Sequence, residues 1–284
     1  MKSFIALVVL LGIVSLAIAQ VDIPRVSPKA SVSQVIGITE VKITYSRPGV
    51  KNRTIWGGLV PYDKVWRTGA NEATTFAISK DVTIEGKPLP AGTYSLHTIP
   101  GKNSWTVIFN KTANQWGSYS YDAAQDALRV DVKPTAGPSV EWLTFSFPDV
   151  QVDTATIELA WEKVRVDFRV GTDTTRQAIA DARRELAGDV KEWNVPFNAA
   201  NFAFNAGPEY KADAMKWIDQ SIGLKESFFN DRLKAQMLAK DGRTKDAVAV
   251  AEKALAAGKD DKNAATEIPG LQKQIAEWKA APGR

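Results

Sequence analysis

The chain has 284 residues, of which 36 are Lys or Arg and 32 are Asp or Glu, so its formal net charge is +4. Because the two signs nearly balance, the sequence lacks the strongly basic character of proteins that neutralise many phosphates, and nucleic acid is not an expected partner. It contains no cysteine and a single histidine, His97. A disulfide framework and a thiolate metal site are therefore excluded, and neither a metal nor a cofactor is expected.

The first 19 residues show the order of charge, apolar run and small residues that is typical of a secretory signal peptide. Lys2 carries their one charge, an apolar run follows from Phe4 to Ile18, and we expect cleavage near Ala19. A membrane anchor is the alternative, but crossing a bilayer usually takes about 20 apolar residues, and Pro24 follows closely. The sequence thus predicts a periplasmic or secreted protein with no transmembrane segment after cleavage.

Residues 20–40 are predicted to be a lead-in segment, and residues 41–170 a β-domain. The run Val41–Ser46 alternates apolar and polar side chains, as a half-buried strand does. About nine short strands without intervening helices favour an antiparallel β-sandwich, because parallel pairing needs long crossover connections. The other predicted strands are 74–79, 82–85, 93–99, 105–110, 128–132, 140–147, 154–161 and 164–170.

From Thr172 the composition changes, and residues 171–284 are predicted to be helical, which makes the whole chain α+β. Thr174–Gln177 fits a capping box at a helix start. Two alanine-rich helical hairpins follow, and small residues at matching positions recur after about 33 to 35 residues, the period of tetratricopeptide-like repeats. The hairpins are predicted at 197–207 with 210–222, and at 227–242 with 244–255.

The sequence of the helical region allows two interpretations. It forms either a groove for a peptide or protein partner, or a buttress against the β-domain. Only two repeats are visible, so we expect the helices to lean on the β-domain or on the helix from Thr175. The segment with Leu271, Ile275 and Trp278 is expected to close the far end.

Val65–Thr74 is the stretch densest in chemically specific residues, and basic and aromatic residues interleave around it. Guanidinium groups match carboxylate and phosphate oxygens, and aromatic rings offer a flat face to a sugar, so a small anionic or sugar-like ligand is predicted. The arginines would neutralise this ligand, the aromatic rings would stack on it, and the remaining side chains would form hydrogen bonds. The predicted ligand-binding residues are Arg47, Arg53, Tyr62, Trp66, Arg67, Asn71, Glu72 and His97.

Two other interpretations remain open. In the first, the protein is a hydrolase of envelope glycans or peptides with Glu72 or His97 as acid or base; however, the chain has no nucleophile elbow and no phosphate-binding glycine loop, so no catalytic residue is assigned. In the second, the protein is purely structural: Trp66 lies in the core, Arg67 pairs with Glu72, and Asn71 forms a turn.

Eight short motifs lie between Tyr45 and Gly117, and they are Tyr45–Pro48, Val50–Lys51, Leu59–Tyr62, Val65–Thr74, Leu89–Tyr94, Thr98–Pro100, Trp105–Ile108 and Trp116–Gly117. Together they resemble a family of exported bacterial proteins that is known as domain of unknown function 2911. The resemblance spans roughly residues 27–170 and implies export and a compact β-domain, but no substrate, reaction or catalytic residue. Glycine or another small residue is common in the family pattern where this chain has Asn52 and Asp63, and phenylalanine where it has Trp56.

Overall fold

The computed structural model describes residues 23–280, so the predicted signal peptide lies outside the described residues. This part of the chain forms ten strands, of which eight precede a long antiparallel pair. The strands are β1 Lys29–Ile36, β2 Thr39–Ser46, β3 Thr74–Ile78, β4 Val82–Ile84, β5 Lys87–Leu89, β6 Gly92–Ile99, β7 Trp105–Asn110, β8 Asp126–Val132, β9 Thr135–Val150 and β10 Thr154–Gly171.

The strands form two antiparallel sheets, in the orders β1-β2-β3-β6-β7-β8 and β5-β4-β10-β9. Alternate side chains of both sheets point into one shared core. There, the ring of Phe168 on β10 lies 6.3 Å from that of Phe76 and 5.9 Å from that of Phe109. The predicted antiparallel sandwich is confirmed.

Three strands differ from the predicted pattern: β1 and the short β5 were not predicted, and β10 was predicted as two strands. β10 is a single strand of 18 residues, although the sequence suggested a break after Trp161. Glu162 has φ +52°, and the register shifts on both sides of it, so an irregularity bends the strand without ending it. β1 lies in the predicted lead-in segment; its alternation was obscured because Val35 points into solvent.

Six helices follow the sheets within the described residues. Their bounds are α1 Thr174–Glu185, α2 Asn194–Ala206, α3 Lys211–Leu224, α4 Phe228–Lys240, α5 Thr244–Gly258 and α6 Ile268–Ala280. The two predicted hairpins correspond to α2 with α3 and α4 with α5, and Leu271 and Ile275 of α6 are buried in the last helical cluster. None of these helices is long and apolar enough to cross a membrane.

Helix α1 contacts the β-sandwich through a few specific bonds. Gln177 accepts from the Thr39 hydroxyl at 2.8 Å and donates to the Asp81 carbonyl at 2.7 Å. Lys80 pairs with Asp181 at 2.5 Å. The predicted capping box is therefore wrong: the N-cap is Asp173, because Gln177 is engaged with the sandwich instead of its own helix start.

Candidate functional site

The long loop between β2 and β3 contains most of the predicted site residues, and Trp66 anchors it in the core. Trp66 is 8% exposed, and its backbone exchanges hydrogen bonds of 2.8 and 2.9 Å with Thr98 on β6. Its indole stacks on Trp161 at 5.9 Å between ring centroids and donates to the Gly69 carbonyl at 3.2 Å. The broad face of Trp66 is thus used by the protein, not left for a ligand.

The backbone after Trp66 turns sharply and is held by polar contacts. Thr68 and Asn71 have φ +55° and +58°, a left-handed conformation that Asn tolerates better than most residues. The Thr74 hydroxyl donates to the Thr68 carbonyl at 2.8 Å, and the Asn71 amide donates to the Ser27 carbonyl at 3.2 Å. These bonds fix the backbone that follows Arg67.

The same backbone conformation explains two departures from the family pattern. Asn52 and Asp63 have φ +55° and +60°. Glycine adopts such angles without a steric cost, and Asn and Asp are the side chains most often found there in its place. At these two positions the family pattern therefore reflects loop geometry.

Two neighbouring pockets, here called the cationic pockets, lie at this loop. The first has a volume of about 320 Å³ and the second about 310 Å³, and both are lined by Leu59, Trp66 and Arg67. The first pocket adds Lys51 and Arg53, and the second adds Lys64. Among residues 23–280, no Asp or Glu lines either pocket, so positive charge is concentrated there without an acidic counterpart in the lining.

Arg67 lines both pockets, and its charge has no partner among the described residues. Its side chain is half-buried, its Nε is fully buried, and within the described residues this atom has no hydrogen-bond partner. Burial lowers the pKa of Arg67 from its ordinary value, against a smaller opposing effect of Tyr119. Ser118, in the second pocket, has a buried hydroxyl that is likewise unpartnered among the described residues.

The other two predicted arginines hold the loop in place. Arg47 donates to the Leu143 carbonyl at 2.9 Å and to the Thr144 hydroxyl at 2.7 Å, which ties the loop to β9. Arg53 donates to the carbonyls of Gly49 and Val50 at 2.5 and 3.1 Å, although it also lines the first cationic pocket. Arg47 lines neither cationic pocket.

Glu72 pairs with Arg25 and not with Arg67. Both carboxylate oxygens lie 2.7 Å from the same guanidinium nitrogen of Arg25. The hydrogen bond from Arg25 is the main reason that the pKa of Glu72 is lowered, so the side chain stays ionised. Arg25 lies in the predicted lead-in segment, where nothing in the local pattern suggested a contact with this loop.

Tyr62 and Asn71 have different environments. Tyr62 is half-buried, its ring packs close to Gly57, and it lines neither cationic pocket. A side chain added at Gly57 would place its Cβ 2.9 Å from the Tyr62 ring. Asn71 does line the first pocket, next to Gly69 and Arg67.

His97 is enclosed on β6 and lines neither cationic pocket. It is 0% exposed, its ring centroid lies 5.1 Å from that of Tyr121, and neither ring nitrogen has a hydrogen-bond partner among the described residues. Burial lowers its pKa to about 4, against smaller raising effects of the Gly117 backbone and Asp126. The imidazole is therefore neutral near pH 7 and out of contact with the other predicted site residues.

The structure thus brings together four of the eight predicted residues, Arg53, Trp66, Arg67 and Asn71, around one pocket. Sequence reasoning placed Lys51 and Lys64 near the patch without assigning them to the site, and it missed Ser118 and Tyr119. These last two belong to the segment between β7 and β8, which pairs with the loop through a bridge between Glu72 and Trp116. Among the described residues, no group of three or more His, Cys, Asp or Glu is placed to hold a metal.

Comparison with known proteins adds a family assignment. Residues 27–170, just over half of the chain, match the family model described as "Protein of unknown function (DUF2911)". No curated protein and no solved structure shows a significant match to the chain. The resemblance noted from the motifs is therefore confirmed, and the description of the family gives no substrate, reaction or site.

Proposed function

The chain belongs to the DUF2911 family, and we propose that it is a binding protein whose cationic pockets take a small anion carrying a phosphate or carboxylate group. Arg67 would bind the anion directly, and Lys51, Arg53 and Lys64 would supply the surrounding positive potential. The site would hold its ligand without transforming it.

The observation that carries this proposal is the half-buried guanidinium of Arg67. A charge removed from water costs free energy unless it is paired or hydrogen-bonded, and an arginine cannot lose its proton to avoid that cost. Here the buried Nε has no partner among the described residues, and the lining contains no acid. A phosphate or carboxylate in the pockets would pair with the guanidinium charge in the planar geometry that this group prefers.

A hydrolase with Glu72 or His97 as acid or base is less well supported. Glu72 is held ionised by Arg25, so it is a poor proton donor near neutral pH. His97 is fully enclosed, and a general acid or base must come within hydrogen-bond reach of its substrate. Neither residue lines a cationic pocket.

A purely structural role fits Trp66, Arg47 and Asn71, whose side chains bond or pack within the protein. It does not fit Arg67, whose buried nitrogen weakens the fold unless something binds it. The two roles are compatible, because a rigid loop holds the Arg67 side chain in a fixed position for a ligand.

We also propose that the protein acts outside the cytoplasm, in the periplasm or after secretion, on the basis of the signal-peptide pattern of residues 1–19. The test is to express the full chain in a bacterial host, fractionate the cells and determine the N-terminus of the product. We expect a product that begins at Gln20 in the periplasm or medium. An uncleaved product in the cytoplasm would contradict export.

The binding proposal is tested by calorimetric titration of the purified protein with inorganic phosphate, pyrophosphate and citrate. We expect at least one of them to bind, and Arg67→Gln to weaken that binding by about tenfold or more through loss of a charge-assisted contact. Arg169→Gln is the matched control, because Arg169 is an exposed arginine on β10. It lies eight residues from Trp161 along the strand, about 26 Å away, and its loss should leave binding unchanged.

Two results would contradict the proposal. One is the absence of binding by all three anions at millimolar concentration. The other is equal weakening by Arg67→Gln and Arg169→Gln, which would indicate a diffuse effect of net charge and not a site.

A further inference from the structure

A third cavity, here called the Trp116 groove, lies on the outer face of the six-stranded sheet. Its volume is about 430 Å³, within the range of small-molecule sites. Ile43 and Tyr45 of β2 and Phe76 of β3 point into the core, so their neighbours Thr44 and Thr75 point outward and line the groove. The segment between β7 and β8 forms the opposite wall.

Trp116 is held in this wall with its side chain 59% exposed. Ala73 donates its backbone N–H to the Gln115 carbonyl at 3.0 Å, and Gly117 donates to the Asn71 carbonyl at 3.1 Å. The Gln115 side chain is fixed by the Ser95 hydroxyl at 3.0 Å and the Thr112 carbonyl at 2.8 Å. A rigid backbone on both sides of an exposed indole is the arrangement of a preformed binding face.

The lining contains one residue of each charge, and the acidic one, Glu72, is already paired with Arg25. Lys29 contributes one positive charge and Glu72 one negative charge, which distinguishes this groove from the cationic pockets. Glu72 is ionised and accepts hydrogen bonds, whereas the Lys29 ammonium only donates them. Hydroxyl and amide side chains complete the lining, and they are Thr44, Ser46, Thr75, Asn114 and Gln115.

We propose that the Trp116 groove binds an uncharged saccharide. A sugar ring has an apolar C–H face, which fits an exposed indole, and a rim of hydroxyls that both donate and accept hydrogen bonds. Glu72 accepts from these hydroxyls, Lys29 donates to them, and the Thr and Asn side chains do both. The groove shares no lining residue with the cationic pockets, so the saccharide site and the proposed anion site can be tested independently.

The test is calorimetric titration of the purified full-length protein with cellotriose, maltotriose and chitotriose at millimolar concentration. We expect at least one trisaccharide to bind and Trp116→Ala to weaken its binding by about tenfold or more, as truncation of a central tryptophan does. Trp142→Ala is the matched control, because Trp142 is a partly exposed tryptophan on β9 outside the groove. It should leave the affinity within about twofold of the wild type.

Two further variants keep the test decisive. Asn114→Ala removes an exposed amide that makes no side-chain hydrogen bond within the described residues, so it should weaken binding while the protein stays folded. Arg67→Gln should leave saccharide affinity unchanged, which separates this proposal from the anion site.

The proposal is overturned if none of the three trisaccharides binds, or if binding persists unchanged in folded Trp116→Ala or Asn114→Ala. It is also overturned if Arg67→Gln abolishes saccharide binding, because the sugar would then occupy the cationic pockets. A change of oligomeric state in Trp116→Ala, without any saccharide binding to the wild type, would make the groove a contact between copies of the chain.

Discussion

The cationic pockets and the enclosure around His97 both contain buried nitrogen atoms without hydrogen-bond partners among the described residues, yet the two regions differ in kind. Arg67 lines pockets that open to solvent and keeps its charge. His97 is sealed beneath the segment between β7 and β8, and its lowered pKa leaves it neutral near pH 7.

The contrast shows when an unpaired buried nitrogen points to a ligand. A histidine can reduce the cost of its burial by losing a proton, whereas an arginine cannot. The enclosure therefore needs no partner from outside, but the Arg67 charge does.

The largest effect is expected for Trp66→Ala. Trp66 is buried against Trp56, Trp105 and Trp161, so its loss should lower the free energy of unfolding by about 3–5 kcal/mol. Trp116→Ala, at an exposed tryptophan, should change it by no more than about 0.5 kcal/mol. Urea denaturation followed by circular dichroism measures both. Equal, small effects would mean that Trp66 is available to a ligand and not part of the core.

The His97 enclosure is tested by the pH dependence of stability. The pKa of His97 in the folded protein is about 4, below the ordinary histidine value of 6.5, so between these pH values the unfolded chain binds a proton that the folded protein does not. Stability should therefore fall as the pH drops below about 6.5, by about 2 kcal/mol at pH 5. In His97→Leu, this part of the loss should be absent. Identical pH profiles for the two proteins would show that His97 is not sealed in the folded state.

Asp231, on α4, should have the opposite and smaller effect on the free energy of unfolding as the pH falls. It is 2% exposed, one carboxylate oxygen has no partner among the described residues, and burial with the nearby Glu226 raises its pKa from 3.8 to about 6. The folded protein therefore gains relative stability as the pH falls through 6, by about 1 kcal/mol at pH 5. Asp231→Asn should lose this gain. If Asp231→Asn still gains stability as the pH falls, another carboxyl group is responsible for the gain.

Much of the fold was predictable because it follows local periodicity. Strands such as β2 and β3 alternate between buried and more exposed side chains, and the alanine-rich hairpins repeat at a nearly fixed offset. β1 was missed because an exposed Val35 disturbs its alternation. The bulge at Glu162 resembles a strand end in the sequence, because the consecutive charged residues Glu162 and Lys163 interrupt the alternation.

The candidate site was less predictable because it depends on contacts between distant segments. Arg47, Arg53 and Arg67 look alike in sequence, but only the structure shows that the first two donate to carbonyl groups of the chain. Glu72 was considered with Arg67, five residues away, whereas its partner Arg25 is 47 residues away. Side-chain pairing over such separations leaves no local pattern.

The central claim is that Arg67 is kept for a ligand at a cost to the fold, and one stability measurement tests it most directly. Urea denaturation would compare the wild type, Arg67→Gln and Arg47→Gln, each with and without phosphate. Arg47→Gln serves as the control, because Arg47 donates two structural hydrogen bonds and should lose about 1–3 kcal/mol of stability.

Without phosphate, we expect Arg67→Gln to be at least as stable as the wild type, because it removes a half-buried unpaired charge. With phosphate at a hundredfold excess over its dissociation constant, the wild type and Arg47→Gln should each gain about 2.7 kcal/mol. Arg67→Gln should gain much less. The account is contradicted if Arg67→Gln is destabilised as strongly as Arg47→Gln and all three proteins gain equally from phosphate.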